Sequence, residues 1–176
     1  YLRNGISHPG VANCIRCREA RETQRSSRLA GNLTNEIIQQ YKKHAESDYP
    51  HECCGFILGN FADQDSTGTE YLPVANTKEE NRERRFLIDP MAYQKAEDEA
   101  DQRGLSVISI VHSHPDHPDE PSDFDRDHAW PGFRYINISI QKGKFVSYRS
   151  LHLNSDRNFF IKENINIIKE EKINVK

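Results

Sequence analysis

The residues with the most chemistry in them lie between Val111 and Asp125, in the run V-H-S-H-P-D-H-P-D-E-P-S-D-F-D. His112 and His114 are two apart at the end of an apolar stretch, so in a strand both imidazoles leave the same face of the sheet. Pro115 is expected to end that strand, because it cannot donate to a ladder. Ser122 and Asp125 follow at fixed offsets, giving His-x-His-x(7)-Ser-x-x-Asp. Two imidazoles and one carboxylate are the ligand set of a catalytic zinc that keeps a fourth position for water. With eight histidines in the chain, chance supplies one H-x-H pair about 0.4 times; demanding the serine and aspartate as well lowers this to roughly two in a thousand.

Each part also has a purely structural reading. Ser122-x-x-Asp125 is a helix capping box as well as half of a site. The two roles are compatible, since a serine at the N-cap fixes the helix start while the acid in the first turn faces a metal. Asp116, His117, Asp119, Glu120, Asp123, Asp127 and His128 crowd the same stretch and read as a solvated acidic surface, with His117 as the one alternative ligand. A metal-bound water also needs a group to take its proton. Glu52, at the mouth of an apolar strand and followed by Cys53, Cys54 and Gly55, small residues that permit close approach, suits that task, with Glu46, Glu70 and Glu120 as competitors.

The elements that must position these groups follow from periodicity. Ile37, Ile38, Tyr41 and Ala45 share one helical face, which predicts a helix from Thr34 to about Ser47, ended by Asp48-Tyr49-Pro50. Strands are predicted over Glu52–Gly59 and Glu70–Ala75, a loop over Asn76–Arg85 and a short strand over Arg85–Ile88. Asp89-Pro90 opens a second helix that Gly104 closes. Leu105–His112 is a β-branched strand that carries the paired histidines. Ser122 starts a third helix ending before Pro131, and Arg134–Gln141 with Phe145–Leu153 form a hairpin at Lys142-Gly143. The tail reads as a strand at Phe159–Ile161 and then a fraying helix. No internal repeat is visible. This order predicts a mixed α/β (α+β) fold of three layers, a mixed sheet covered by helices on both faces.

Bulk properties bound the rest. A chain of 176 residues suits one catalytic domain, here 34–155, with a basic extension or end of a preceding segment at 1–33 and a tail at 156–176. The extension carries six Arg against Glu19 and Glu22, or +4, so the remainder carries −7 of the net −3. Without interleaved aromatics such an arm reads as solvated, and nucleic acid is not an expected partner. A short helix is predicted near Cys17–Arg28. No apolar run reaches the length of a membrane span and no signal-peptide core opens the chain, so a cytoplasmic protein without membrane association is expected. Cys14-x-x-Cys17 lacks the second pair of a zinc ribbon, and Cys53-Cys54 reads as part of a buried strand; free thiols are expected.

Taken together, Glu52-Cys-Cys-Gly-Phe-Ile-Leu-Gly, His112-Ser-His114-Pro and Ser122-x-x-Asp125 resemble the JAMM (MPN+) zinc metalloproteases of the Mov34/MPN/PAD-1 type, in particular their small prokaryotic branch. The resemblance spans about Leu33–Leu153 and all five motif positions agree in identity and spacing. It implies an MPN-type fold, similar to the cytidine deaminase-like architecture. It implies one zinc per chain on His112, His114 and Asp125, Glu52 as general base and later proton donor, and Ser122 steadying the oxyanion. It also implies a substrate: an amide bond after the C-terminal tail of a ubiquitin-like or sulfur-carrier protein of the β-grasp type, with Asn76–Arg85 folding over that tail and Arg82, Arg84 and Arg85 as candidate contacts. The competing reading is a non-catalytic MPN-type protein-binding scaffold. A zinc deaminase is disfavoured, because its His-x-Glu with a downstream Pro-Cys-x-x-Cys is missing.

Overall fold

The computed structural model describes residues 30–169 apart from 63, 64, 131, 155 and 157. The helix expected near Cys17–Arg28, and Cys14 and Cys17, lie outside the described residues. The fold is mixed α/β. Strand β1 (Ala30–Thr34) runs straight into helix α1 (Asn35–Asp48), and Thr34 makes the switch by turning its hydroxyl back to accept from the Ile37 amide at 3.3 Å. The predicted stripe of Ile37, Ile38, Tyr41 and Ala45 is the buried face of α1. Strands β2 (Cys54–Ala62) and β3 (Asp65–Val74) pair antiparallel. Helix α2 (Pro90–Gln102) starts on the Asp89 cap, whose carboxylate accepts from Met91 N at 2.9 Å, and is followed by Gly104 at φ 69°. Then come β4 (Ser106–Pro115), the short helix α3 (Asp123–His128) and the hairpin of β5 (Arg134–Gln141) and β6 (Lys144–Leu153). Lys142 and Gly143, both at positive φ, form the hairpin turn.

The layer arrangement corrects the expectation. The sheet does not stay open between two helical layers but closes as a barrel in the order β1-β3-β2-β4-β5-β6-β7. The closing strand is β7 (Phe160–Ile168), which pairs antiparallel with β6 and parallel with β1. Phe160 and Ile161 belong to the predicted short strand, but the stretch after them, read as a fraying helix, continues that strand to Ile168, so this part of the tail reading is corrected. Its Ile-rich alternation suits a pleated surface once β6 and β1 supply ladders on either side. The sheet thus takes in residues on both sides of the expected 34–155 unit. Arg85–Ile88 is not a strand either; it is irregular chain outside the sheet, with the Leu87 carbonyl accepting from Thr77 N at 2.9 Å.

Helix α1 touches β1, β3, β5 and β6, strands from both arms of the closed sheet, and so fills its inner face. There Leu33, Ile37, Tyr41, Ile57, Val111 and Ile138 form one core cluster. On the outer face α2 covers Phe56, Leu58, Val107 and Ile110 with Tyr93, Ala96 and Ala100. Truncating a buried isoleucine such as Ile37 to alanine costs about 2–5 kcal/mol in cores of this kind. Cys53 and Cys54 are free and buried, and burial pushes the Cys53 thiol up to about 12, so both behave as small hydrophobes. The small residue at Gly55 serves packing: an added Cβ would lie 2.7 Å from the Leu72 carbonyl and 2.9 Å from the Tyr71 ring. Among the described residues no helix is long and apolar enough to cross a membrane.

Candidate metal centre

Strand β4 delivers the two histidines to the outer face. It runs three residues past the predicted end at His112, through Pro115, which lies opposite Ile140 of the parallel strand β5. Proline is tolerated because Asp116, not Pro115, donates to the Ile140 carbonyl, at 2.7 Å. From the inner face the Tyr41 hydroxyl reaches the His112 carbonyl at 2.5 Å and the Ile136 carbonyl at 3.0 Å, tying β4 to β5 just where the first imidazole leaves the sheet. The Phe86 ring stacks on the His112 ring at 4.3 Å between centroids.

His112, His114 and Asp125 converge, and they form a group that could hold a metal ion. His112 Nε2 is 2.9 Å from His114 Nε2 and 3.4 Å from Asp125 Oδ1, and His114 Nε2 is 3.5 Å from Asp125 Oδ2. Donors roughly 2.0–2.1 Å from a tetrahedral zinc would stand about 3.4 Å apart, so both imidazole–carboxylate spacings fit and the imidazole pair is only slightly tight. The proton arrangement fits as well. His114 Nδ1 donates to the Pro118 carbonyl at 2.6 Å, which leaves its Nε2 lone pair facing the other two ligands. The three side chains are almost wholly buried. Burial works against charge on His112 and outweighs the neighbouring Asp125, so its pKa is lowered. Burial also acts to lower His114, but Asp125 and the Pro118 carbonyl more than offset it and the pKa rises. Asp125, despite a burial penalty, is held far below the usual carboxylate range by the two imidazoles and the Ser122 amide.

The capping reading of the Ser-Asp half holds in the geometry. Ser122 caps α3, accepting from Asp125 N at 3.1 Å, while Asp125 Oδ2 accepts from Ser122 N at 2.7 Å. The cap is what swings the Asp125 carboxylate toward the histidines. Ser122 uses its oxygen as an acceptor, so its proton is left to donate.

Glu52 stands just before β2, opposite His114, because Cys54 pairs with His112 and Cys53 O accepts from Ser113 N at 3.0 Å. It is 5% exposed, and among the described residues its Oε2 has no hydrogen-bond partner. Burial raises its carboxyl to about 8 against the opposing pull of His114. The three competing acids are occupied elsewhere: Glu46 accepts from Phe145 N, Glu70 is paired with Arg103, and Glu120 lies against Arg149.

Sequence reasoning missed the groups that hold this centre in place. Asn76 is a knot. Its amide nitrogen donates to Glu52 O and Arg85 O, and its amide oxygen accepts from Lys78 N and Leu87 N. The acidic stretch 116–120 is not simply solvated. Asp119 is 7% exposed and paired with Arg149 at 3.0 Å, Asp116 accepts from Tyr49 Oη and Lys142 N, and Ser139 donates to the His117 carbonyl. These contacts fix the loop that carries Pro118 O. The His117 side chain is exposed and outside the ligand group. Asp123 and Asp127 pair with Arg126, as surface residues. Of the loop arginines, Arg85 lies over the Phe124 ring at 4.5 Å, and Arg82 offers its carbonyl to Glu52 N at 2.7 Å. Only Asn76 and Arg149 carried a sequence signal at all, as a lone Asn at a strand end and a lone cation in a strand, and neither signal is specific.

Residues 34–151 match the family model described as prokaryotic homologs of the JAB domain, and the chain belongs to that family, the small prokaryotic branch of the JAMM/MPN proteins. Among curated proteins it is 33% identical over 113 residues to the desampylase of Haloferax volcanii, covering 63% of this chain and 78% of that protein. It is 35% identical over 94 residues to the tail tip assembly protein K of Escherichia phage N15, covering 53% of this chain; this chain spans only 34% of the phage protein's length. Two solution structures are similar. A protein of Desulfitobacterium hafniense matches with a TM-score of 0.71 and 26% identity over 81% of this chain and 95% of its own. One from Salinibacter ruber matches with a TM-score of 0.61 and 33% identity over 81% and 93%.

Proposed function

We infer that this chain is a zinc-dependent peptidase or isopeptidase that hydrolyses the amide bond following the C-terminal tail of a ubiquitin-like or sulfur-carrier protein. The observation that carries the reading is the juxtaposition of an unpartnered buried glutamate, Glu52, with a convergent His-His-Asp set whose competing acids are all engaged elsewhere. The similarity to a desampylase supports the substrate class.

His112, His114 and Asp125 would hold the ion, one per chain. Zinc bound there supplies Lewis acidity, polarising the scissile carbonyl and lowering the pKa of water to about 7. Glu52 takes the proton from the attacking water on its carboxylate, which its dry setting makes a stronger base than an exposed glutamate. Water's oxygen forms the new C–O bond as the C–N bond breaks. The protonated Glu52 then returns its proton to the departing nitrogen, so a tail carboxylate and an amine leave. Ser122 donates its hydroxyl proton toward the oxygen that gathers charge. The stretch 76–85, tied to Glu52 by Asn76, is set to lie along the substrate tail.

The test is to incubate the zinc-loaded chain with β-grasp carriers bearing linear or isopeptide-linked C-terminal extensions and to weigh the products by mass spectrometry. Cleavage after the tail, lost in Glu52→Gln with zinc retained, is the expected result. Stoichiometric zinc without cleavage of any carrier would overturn the reading in favour of a non-catalytic binding scaffold.

A further inference from the structure

The chemistry above leaves one feature of the centre unused. Phe86, Ile110, Phe124, Ala129, Trp130 and Tyr135 line an open-sided cavity of about 120 Å³. Its remaining wall includes His112 and Asp125, so the cavity opens directly beside the ligand set. The rings around it are held from outside. Trp130 meets Tyr93 edge-on at 4.9 Å and its backbone N donates to the Tyr135 hydroxyl at 2.5 Å, while Phe86 is stacked on His112. Leu87 forms part of the rim and is 49% exposed.

We propose that this cavity binds one aliphatic side chain, of leucine or methionine size, carried by the substrate's extended tail within about three residues of the cleaved bond. The inference rests on the reading of the neighbouring centre as one that hydrolyses peptides. Size points the same way: a cavity of about 150 Å³ accommodates benzene, so one of about 120 Å³ has room for a single branched or flexible aliphatic chain. Charge selects it too. Among the described residues the lining contains no lysine or arginine to receive an anion; its imidazoles are His112, which faces Asp125, and His128, whose Nδ1 lies 2.9 Å from the Phe124 carbonyl, and its one carboxylate, Asp125, is already engaged by both ligand imidazoles and the Ser122 amide.

Trp130 is the single tryptophan of the chain, so its fluorescence reads occupancy of the cavity without turnover. The zinc-loaded full chain is titrated with acetylated pentapeptide amides in which one leucine is walked through a glycine–alanine frame. Leucine at one position should bind roughly ten- to a hundredfold tighter than the all-alanine frame, and aspartate there more weakly than alanine. Ala129→Leu, which fills the cavity, should erase the leucine advantage; Leu87→Phe, at the half-exposed rim where folding is not at stake, should reduce it. Equal affinity for leucine and alanine frames at every position overturns the inference, whether or not the protein cleaves a carrier. A leucine preference combined with no cleavage of any carrier sustains the cavity's role and instead removes the hydrolytic reading.

Discussion

Two buried polar clusters lie toward opposite ends of β5, and they are built in opposite ways. Near its start, on the inner face, Arg134 donates through Nε to Glu163 at 2.6 Å and through Nη1 to Ser66 at 2.8 Å, and His152 lies 2.9 Å from the other Glu163 oxygen. Gly31 of β1 makes room for the guanidinium, since an added Cβ would sit 1.9 Å from Nη1. This cluster joins β3, β5, β6 and β7 where the barrel closes, and its charges are spent on one another. Toward the other end, level with Asn137 and Ser139, the imidazoles and Asp125 converge at 2.9, 3.4 and 3.5 Å, and among the described residues Glu52 Oε2 and His112 Nδ1 have no hydrogen-bond partner. Buried polar groups are normally satisfied. The cluster around Arg134 is held by ion pairs where the barrel closes, whereas His112, His114 and Asp125 form a group that could hold a metal ion.

The sharpest way to break this contrast is at Glu52. Glu52→Gln should lower cleavage of a carrier tail by about 10²–10⁴-fold, the usual contribution of a general base, while one zinc per chain is retained and the unfolding midpoint stays or rises; a large loss of stability would make Glu52 a fold residue. The converse variant is Glu163→Gln. Leaving Arg134 buried without its charge partner should cost about 3–5 kcal/mol in denaturant unfolding, with zinc affinity in the surviving folded protein unchanged. Smaller still is Arg149→Met, which strands Asp119 and loosens the loop that presents Pro118 O to His114. Zinc affinity, measured by chelator competition, should fall about tenfold, the low end for outer-shell losses, and unchanged affinity would reduce the Asp119–Arg149 pair to a surface detail.

The last prediction concerns pH. Burial acts to raise the Glu163 carboxyl, but the contacts with His152 and Arg134 prevail and hold it below the ordinary value. A depressed acid stabilises the fold above its unfolded pKa, about 4.3 for glutamate, and that contribution disappears as pH falls through the lower folded value. The stability gap between the native chain and Glu163→Gln should thus be constant from neutral pH to about pH 5 and shrink on further acidification. A gap that widened in acid would mean that the cluster is not held as an ion pair.

Much of the site was legible because its parts are local. His112 and His114 on one face of a strand, and the Ser122 cap that turns Asp125, follow from periods of two residues and one helical turn. Glu52 was legible as a candidate through its place at the start of an apolar run. Its separation from Glu46, Glu70 and Glu120 needed their partners, Phe145 N, Arg103 and Arg149, which lie far along the chain. The same limit applies to the acidic loop. Asp119 reads as solvated until Arg149, thirty residues later, is brought beside it.

The amino-acid sequence by itself determined the types and spacing of the candidate ligands, the two long helices and the turn at Lys142-Gly143, all of which depend on neighbours within a few residues. Tertiary structure decided the closed sheet and the use of Phe160–Ile168 as a strand. An alternating Ile-rich segment has no preference strong enough to specify its form until β6 and β1 offer their unpaired backbone groups on either side. It also decided that Phe86, Phe124, Trp130 and Tyr135, scattered over fifty residues, line one cavity beside the triad. Contacts at that separation depend on how packed elements meet, and no local pattern encodes them.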